Sequence, residues 1–221
     1  MTRIRQSIQT CGACGKVEEY GCLLSVSDFS GLGPDLDWRP PPGSSAYMHL
    51  WLQLCPDCGY VAEDITQTPE DIGVYRSEPY LSALHRADFP ELARRFLAHA
   101  QIHTRASNPY AAGVAYLYAA WVCDDEGLAM AAALSRRWAA EWLLQCKPFA
   151  DTGPGWINGA ILVDVLRRSG QFEVAAAECA GLLKRPVIPK DFASVLQFQA
   201  RLIAERDAAV HRQSDYLPLA S

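Results

Sequence analysis

The sequence lacks an apolar run long enough to cross a lipid bilayer, although 50% of its 221 residues are hydrophobic. A membrane-spanning helix needs about 20 consecutive apolar residues. The opening segment 1–10 also lacks the apolar core that is typical of a secretory signal peptide. We therefore expect a cytoplasmic protein with no membrane partner.

Basic charge is in short supply as well. The net charge is −5, and residues 1–65 carry four basic side chains against eight acidic ones. Binding to a phosphate backbone usually requires an excess of Lys and Arg, because its affinity comes from the release of counterions. The composition therefore argues against a nucleic-acid partner.

Common catalytic motifs are also missing: the sequence has no phosphate-binding glycine loop, no G-x-S-x-G and no H-E-x-x-H. His99 and His103 have the spacing of a helical metal pair, but no third ligand accompanies them, so we expect a solvated helix face. The acidic run 124–126 falls at a predicted helix-to-helix turn, where we expect solvated carboxylates. Nothing here indicates an enzyme, and the question of catalytic activity stays open.

What the sequence does contain is cysteine in a definite pattern. Of its eight cysteines, four occur in two copies of C-x-x-C-G, which begin at Cys11 and Cys55. This spacing lets both thiolates of one tight turn reach the same tetrahedral ion, and two such turns complete a four-cysteine zinc site. The predicted ligands, called the tetrad below, are Cys11, Cys14, Cys55 and Cys58. Iron is the alternative ion, and thiol redox exchange is a further alternative.

The other four cysteines suggest simpler roles. Cys146 and Cys179 fall on apolar helix stripes and look like small buried hydrophobic residues. Cys123 lies at a predicted helix end. Cys22 is eight residues after Cys14, so a structural role in a strand and a role as a substitute metal ligand both stay open.

The chain divides into three predicted parts. Residues 1–65 form a β-rich, zinc-ribbon-like domain with expected strands at Val17–Tyr20, Leu23–Val26 and Ala46–Leu54, the last because apolar and polar residues alternate there. A long loop rich in Pro and Gly over 31–43 excludes helix between the two turns. Residues 66–87 are a connector, and residues 88–221 are an α-helical domain.

Helical signals dominate the third part. Asp88 is a predicted N-cap, and Asn108 followed by Pro109 marks a second helix start. Further helices are expected at about 128–146, 156–168, 171–183 and 189–211. The order of Gly170, Phe172 and Ala175 around one turn is similar to a tetratricopeptide repeat. The predicted fold class is α+β, a small β-rich zinc ribbon followed by a tetratricopeptide-like array of α-helical hairpins.

The long loop contains candidate binding residues. Rigid scaffolds often display functional loops, and Trp and Arg are enriched at binding hot spots. We therefore predict a binding role for the loop residues Asp35, Asp37, Trp38 and Arg39. The alternative is that Trp38 only covers the ribbon.

The segments Cys11–Gly15 and Leu54–Ala62, with Asp35-Leu36-Asp37 before Arg39, resemble an uncharacterised bacterial family that carries a domain of unknown function. Gln53 departs from that family, which has an aromatic residue just before its second turn. The resemblance implies a split zinc-ribbon head joined to tetratricopeptide-like helices, and it implies no activity.

Together these observations favour a non-enzymatic zinc-binding adaptor whose helical array binds a protein or peptide. The first alternative is a nucleic-acid-binding zinc ribbon, and the second is a redox or iron-binding protein. The sequence does not indicate an oligomeric state.

Overall fold

The computed structural model describes residues 2–27 and 30–215 and has an α+β architecture. Two small antiparallel sheets lie near the N-terminus, and a helical array follows them. In the first sheet β1 (Arg3–Thr10) pairs with β2 (Val17–Ser25), and in the second β3 (Gln53–Leu54) pairs with β4 (Val61–Ala62). The predicted fold class is confirmed at this level.

A short helix, a 3-10 turn and a bend connect the two sheets. Helix α1 spans Pro42–Ser45, and the 3-10 turn spans Met48–Leu50. The predicted strand over Ala46–Leu54 is therefore wrong except for its last two residues. Met48 and Leu52 are each 2% exposed, so the alternating apolar residues do reach the core, but from helical backbone rather than from a strand. Helix α1 also lies partly inside the segment from which we excluded helix, because Pro42 is tolerated in a first helical turn.

The helical array contains seven helices among the described residues, with another 3-10 turn at Val74–Arg76 preceding the first of them. Each helix packs against the next along the chain. They are α2 (Glu78–Leu84), α3 (Glu91–Arg105), α4 (Pro109–Asp125), α5 (Ala129–Leu144), α6 (Gly153–Arg168), α7 (Phe172–Leu183) and α8 (Lys190–Ala204). Not one helix of the described ranges has the length and apolar character to cross a membrane.

The predicted helix boundaries have mixed outcomes. The N-cap at Asn108 is confirmed, since its side-chain oxygen accepts the N–H of Ala111 at 3.2 Å. The N-cap at Asp88 is wrong, because α3 begins three residues later, after Pro90. The last helix is shorter than predicted and ends at Ala204.

One hydrophobic cluster runs through the head and the array. It includes Cys11 and Leu36 from the first 65 residues and Leu166 and Ile203 from the helices. The loop is held down at its centre, where the N–H of Leu36 donates to the carbonyl of His211 at 2.9 Å. The head therefore packs on the array, and the division of the chain at residues 65 and 87 stays a prediction.

Candidate metal centre

The two C-x-x-C-G segments fold into matching turns. In each turn the N–H of the closing glycine donates to the carbonyl of the first cysteine, at 2.8 Å for Gly15 and 3.0 Å for Gly59. The first cysteine donates its own N–H to the residue after the glycine, at 2.8 Å to Lys16 and 2.9 Å to Tyr60. Both glycines have positive φ, 79° and 74°, which a residue with a side chain seldom adopts. The repeated motif therefore dictates the same local backbone twice.

These turns bring the four sulfurs of the tetrad together. All four lie within 4.8 Å of one another, with Sγ–Sγ distances of 3.9 Å between Cys11 and Cys58 and 3.6 Å between Cys14 and Cys55. Four thiolates at about 2.3 Å from a tetrahedral zinc ion would be separated by about 3.8 Å. The sulfurs therefore already have the spacing that a metal ion needs, and the tetrad could hold one.

Burial and backbone amides act in opposite directions on the thiols. Burial raises the pKa of Cys11 above its usual value, and it raises the pKa of Cys58 as well. Burial also acts against ionisation of Cys55, but backbone hydrogen bonds from Cys58 and Asp57, together with the thiols of Cys58 and Cys14, outweigh it and lower the pKa. Amides that stabilise a free thiolate would equally support a metal-bound sulfur.

The first turn is pressed against the backbone that follows β4. The N–H of Gly12 donates to the carbonyl of Ile65 at 2.8 Å. A Cβ at Gly12 would lie 2.5 Å from the carbonyl group of Gln67, which is less than a van der Waals contact. Only glycine fits this position, and the sequence gives no signal for it beyond the residue itself.

Two tyrosines from the predicted connector support the turns from the other side. The hydroxyl of Tyr80 in α2 donates to the carbonyl of Gly59 at 2.8 Å, and that of Tyr75 donates to the carbonyl of Ala13 at 3.5 Å. Tyr80 is 0% exposed. Residues beyond 65 therefore help to position the two turns of the tetrad, a contribution that the sequence did not indicate.

Cys22 lies outside the tetrad. Its sulfur is 3.6 Å from the amide nitrogens of Gln9 and Gln53. Gln53 also accepts the N–H of Ile65 through its side-chain oxygen at 2.8 Å. Among the described residues the tetrad is the one group of three or more candidate ligands with a metal-binding geometry, so the structure does not bring Cys22 to the site. The prediction of a buried cysteine is confirmed for Cys179, which is 1% exposed, but Cys146 is only half-buried.

Asp37 from the long loop is fully buried in an ion cluster. One of its carboxylate oxygens accepts from Trp121 at 2.8 Å, Arg168 at 3.1 Å and Arg136 at 3.4 Å. Both arginines also donate to Asp124, at 2.9 Å and 2.5 Å. The expectation that the acidic run 124–126 is solvated is therefore wrong for Asp124, whose side chain is 20% exposed.

The other three predicted loop residues are less buried. Arg39 forms a salt bridge with Asp125 at 2.5 Å. The ring of Trp38 stacks on Phe192 at a centroid distance of 6.2 Å. Burial and then Asp37 raise the pKa of Asp35 to about 6. The binding role predicted for Asp35, Asp37, Trp38 and Arg39 stays a prediction.

His99 and His103 do not occupy the solvated face that we expected. His99 is 9% exposed, and the two rings meet edge to face at a centroid distance of 4.5 Å. Burial lowers the pKa of both imidazoles. The expectation is wrong for His99 because α3 packs its face against the head.

Comparison with known proteins adds no assignment to this geometry. The chain matches no protein-family model, no curated protein and no solved structure. Membership of the bacterial family that the tetrad segments resemble therefore stays a prediction. The candidate metal centre is supported by the geometry of the tetrad alone.

Proposed function

We propose that the protein is a cytoplasmic zinc-binding adaptor in which one structural zinc ion joins the two turns of the head. The observation that carries this proposal is the convergence of four cysteine sulfurs, within 4.8 Å of one another, from two matching C-x-x-C-G turns. Four protein thiolates fill a tetrahedral site, so no position is left for a substrate. The role of the ion is then to stabilise a fold rather than to catalyse a reaction.

The small size of the sheets supports a stabilising role. Strands β3 and β4, which flank the second turn, contain two residues each, and β1 and β2 form a sheet of only two strands. A two-stranded sheet is marginally stable in water by itself. Zinc binding contributes folding free energy to small domains of this kind, because the unfolded chain holds no preformed site.

The helical array supplies the proposed surface for a protein or peptide partner. Stacked helical hairpins, as in tetratricopeptide repeats, present extended surfaces to their partners. Exposed apolar side chains support this use of the array, including Met130 at 89% and Val187 at 60% exposure. Asp35 and Arg39 line a recess of about 400 Å³, which supports the loop as a second contact point.

Metal analysis tests the metal centre. The purified protein should contain about one zinc ion per chain and be colourless. Cys58→Ser should lose the zinc, whereas Cys22→Ser, the same change outside the tetrad, should retain it. Protein without zinc would contradict the proposal, and a visible thiolate-to-iron band would make iron the ion.

A comparison of two variants tests the partner surface. Proteins captured from the source cells by the tagged chain should be lost with Met130→Glu and retained with Glu141→Gln, a change at another exposed position of α5. Equal capture by both variants would remove Met130 from the proposed surface.

A further inference from the structure

A cavity of about 760 Å³ lies between the head and the helical array. Strand β2 and residues 50–53, 63 and 64 line one side, and α3 and α4 line the other. Small-molecule sites in proteins typically measure 300–1,000 Å³. No cysteine of the tetrad contributes to this lining, so the cavity is a separate feature from the metal centre.

His99 is a buried polar side chain that lines this cavity without a polar partner. It is 9% exposed, and within residues 2–27 and 30–215 its ring nitrogens form no hydrogen bond. Burial, followed by the neighbouring His103, lowers the pKa of His99 to about 3. The ring is therefore neutral at physiological pH and offers one donor and one acceptor. The ring nitrogens are not among the fully enclosed unpaired atoms of the described residues, so they are open to the cavity and available to a ligand with a hydrogen-bonding group.

The cavity lining carries two formal charges, and both are negative. They belong to Glu63 and Asp64, and no Lys or Arg lines the cavity. Asp64 is held in place by Thr66, whose N–H and hydroxyl donate to one carboxylate oxygen at 3.0 Å and 2.7 Å. Glu63 is exposed and is close enough to raise the pKa of Tyr118, after the effects of burial and Tyr110. The field at this end of the cavity favours a cation.

An aromatic wall completes the cavity. Tyr118 meets Trp51 edge to face at a centroid distance of 5.1 Å and meets Phe96 in the same way at 5.5 Å. Trp51 and Tyr118 are both half-buried, so part of each ring remains open to the cavity. Aromatic side chains bind flat apolar groups and also attract cations over their faces.

We propose that this cavity binds a small aromatic amine in its protonated form. The ammonium group points toward Glu63 and Asp64, the aromatic body lies against Trp51 and Tyr118, and a polar substituent on that body pairs with His99. This site goes beyond the proposed adaptor function and does not depend on it, because it rests on other residues.

Four probes of matched shape separate the parts of this proposal in isothermal titration of the full chain. Tyramine carries the ammonium and a hydroxyl, phenethylamine lacks the hydroxyl, tyrosol is neutral, and 3-(4-hydroxyphenyl)propionate is an anion. Tyramine should bind about tenfold more tightly than tyrosol at low ionic strength, because two carboxylates face its charge. The anion should not bind.

Two variants assign the contacts. Glu63→Gln should weaken tyramine about fivefold and leave tyrosol unchanged, whereas Glu141→Gln, at an exposed site outside the cavity, should change neither. His99→Phe should remove the advantage of tyramine over phenethylamine. If His99→Phe does not fold, the exposed Glu63→Gln variant still decides the result. Absence of tyramine binding at millimolar concentration, equal binding of tyrosol, or an unchanged tyramine affinity in Glu63→Gln would overturn the proposal.

Discussion

Replacing Asp37 by Asn tests whether this loop residue acts in stability. Asp37 is 0% exposed and connects the loop to three helices, through Trp121 on α4, Arg136 on α5 and Arg168 on α6. Asparagine keeps the shape and can still accept the Trp121 N–H, so the change removes mainly the charge. It leaves two buried arginines, 1% and 7% exposed, with Asp124 as their remaining anionic partner.

The expected loss follows from that arrangement. Removing one partner of a buried ion pair typically costs 3–5 kcal/mol, because the remaining charge is left uncompensated. Asp124 still binds both guanidinium groups, so we expect a loss at the lower end, about 3 kcal/mol. Asp125→Asn is the matched control: its salt bridge with Arg39 has a carboxylate that is 55% exposed, and its loss should cost about 1 kcal/mol or less.

Urea unfolding at pH 7, followed by circular dichroism, measures both variants. Burial acts to raise the pKa of Asp37, but Arg168 and Arg136 outweigh it and lower the pKa. A lowered folded-state pKa means that the charge stabilises the fold above the usual aspartate value of 3.8 and that this contribution is lost as the pH falls through the folded value. The difference between wild type and Asp37→Asn should therefore shrink only below pH 3.8. If Asp37→Asn lowers the free energy of unfolding at pH 7 by less than about 1 kcal/mol, this reasoning is refuted.

Three further predictions concern the head. Cys58→Ser should expose residues 1–65 to limited proteolysis while the helices survive, because the variant loses the zinc ion that we propose to stabilise the small sheets; equal resistance of wild type and variant would contradict this. Gly12→Ala should lower zinc retention against a competing chelator, since its Cβ would meet the Gln67 carbonyl group at 2.5 Å. Gly15→Ala, with no atom within 4 Å of its Cβ, should cost only the backbone strain of about 1–2 kcal/mol. Fluorescence anisotropy with labelled DNA and RNA near physiological salt should detect no binding, because the head has four basic against eight acidic residues; micromolar, salt-sensitive binding would favour the nucleic-acid alternative.

The metal centre could be predicted from the sequence because its information is local. Each turn is determined by five consecutive residues, and the closing glycines Gly15 and Gly59 provide the required positive φ. What the sequence left open was whether two turns 41 residues apart, at Cys14 and Cys55, would meet. The repetition of the motif supplied that inference.

The strands of the head were harder to predict because their burial is irregular. β1 was missed because its sequence contains only two large apolar residues, Ile4 and Ile8, and so shows no pattern of core residues. Both side chains are exposed, at 47% and 76%. The opposite error occurred at Ala46–Leu54, where alternation suggested a strand. A helical turn followed by a 3-10 turn can bury Met48 and Leu52 equally well.

The ion cluster around Asp37 could not be predicted from local patterns. The three side-chain hydrogen bonds that Asp37 accepts join residues that are 84 to 131 positions apart. One signal was present on α5, where Arg136 occupies an apolar stripe between Ala132 and Ala139, both at most 2% exposed. A charged residue at a core position of a helix requires a buried partner, and the loop carboxylates were the candidates.

The head connects the metal centre with the cavity through a single short segment. Gln53 lines the cavity, donates toward Cys22 and accepts the N–H of Ile65, and it precedes Cys55 of the tetrad by two residues. The carbonyl of Ile65 also holds the first turn through Gly12. A ligand that binds only the folded head must therefore strengthen metal binding by the same factor by which the metal strengthens ligand binding. A metal ion bound by the tetrad should therefore also stabilise the shape of the cavity wall.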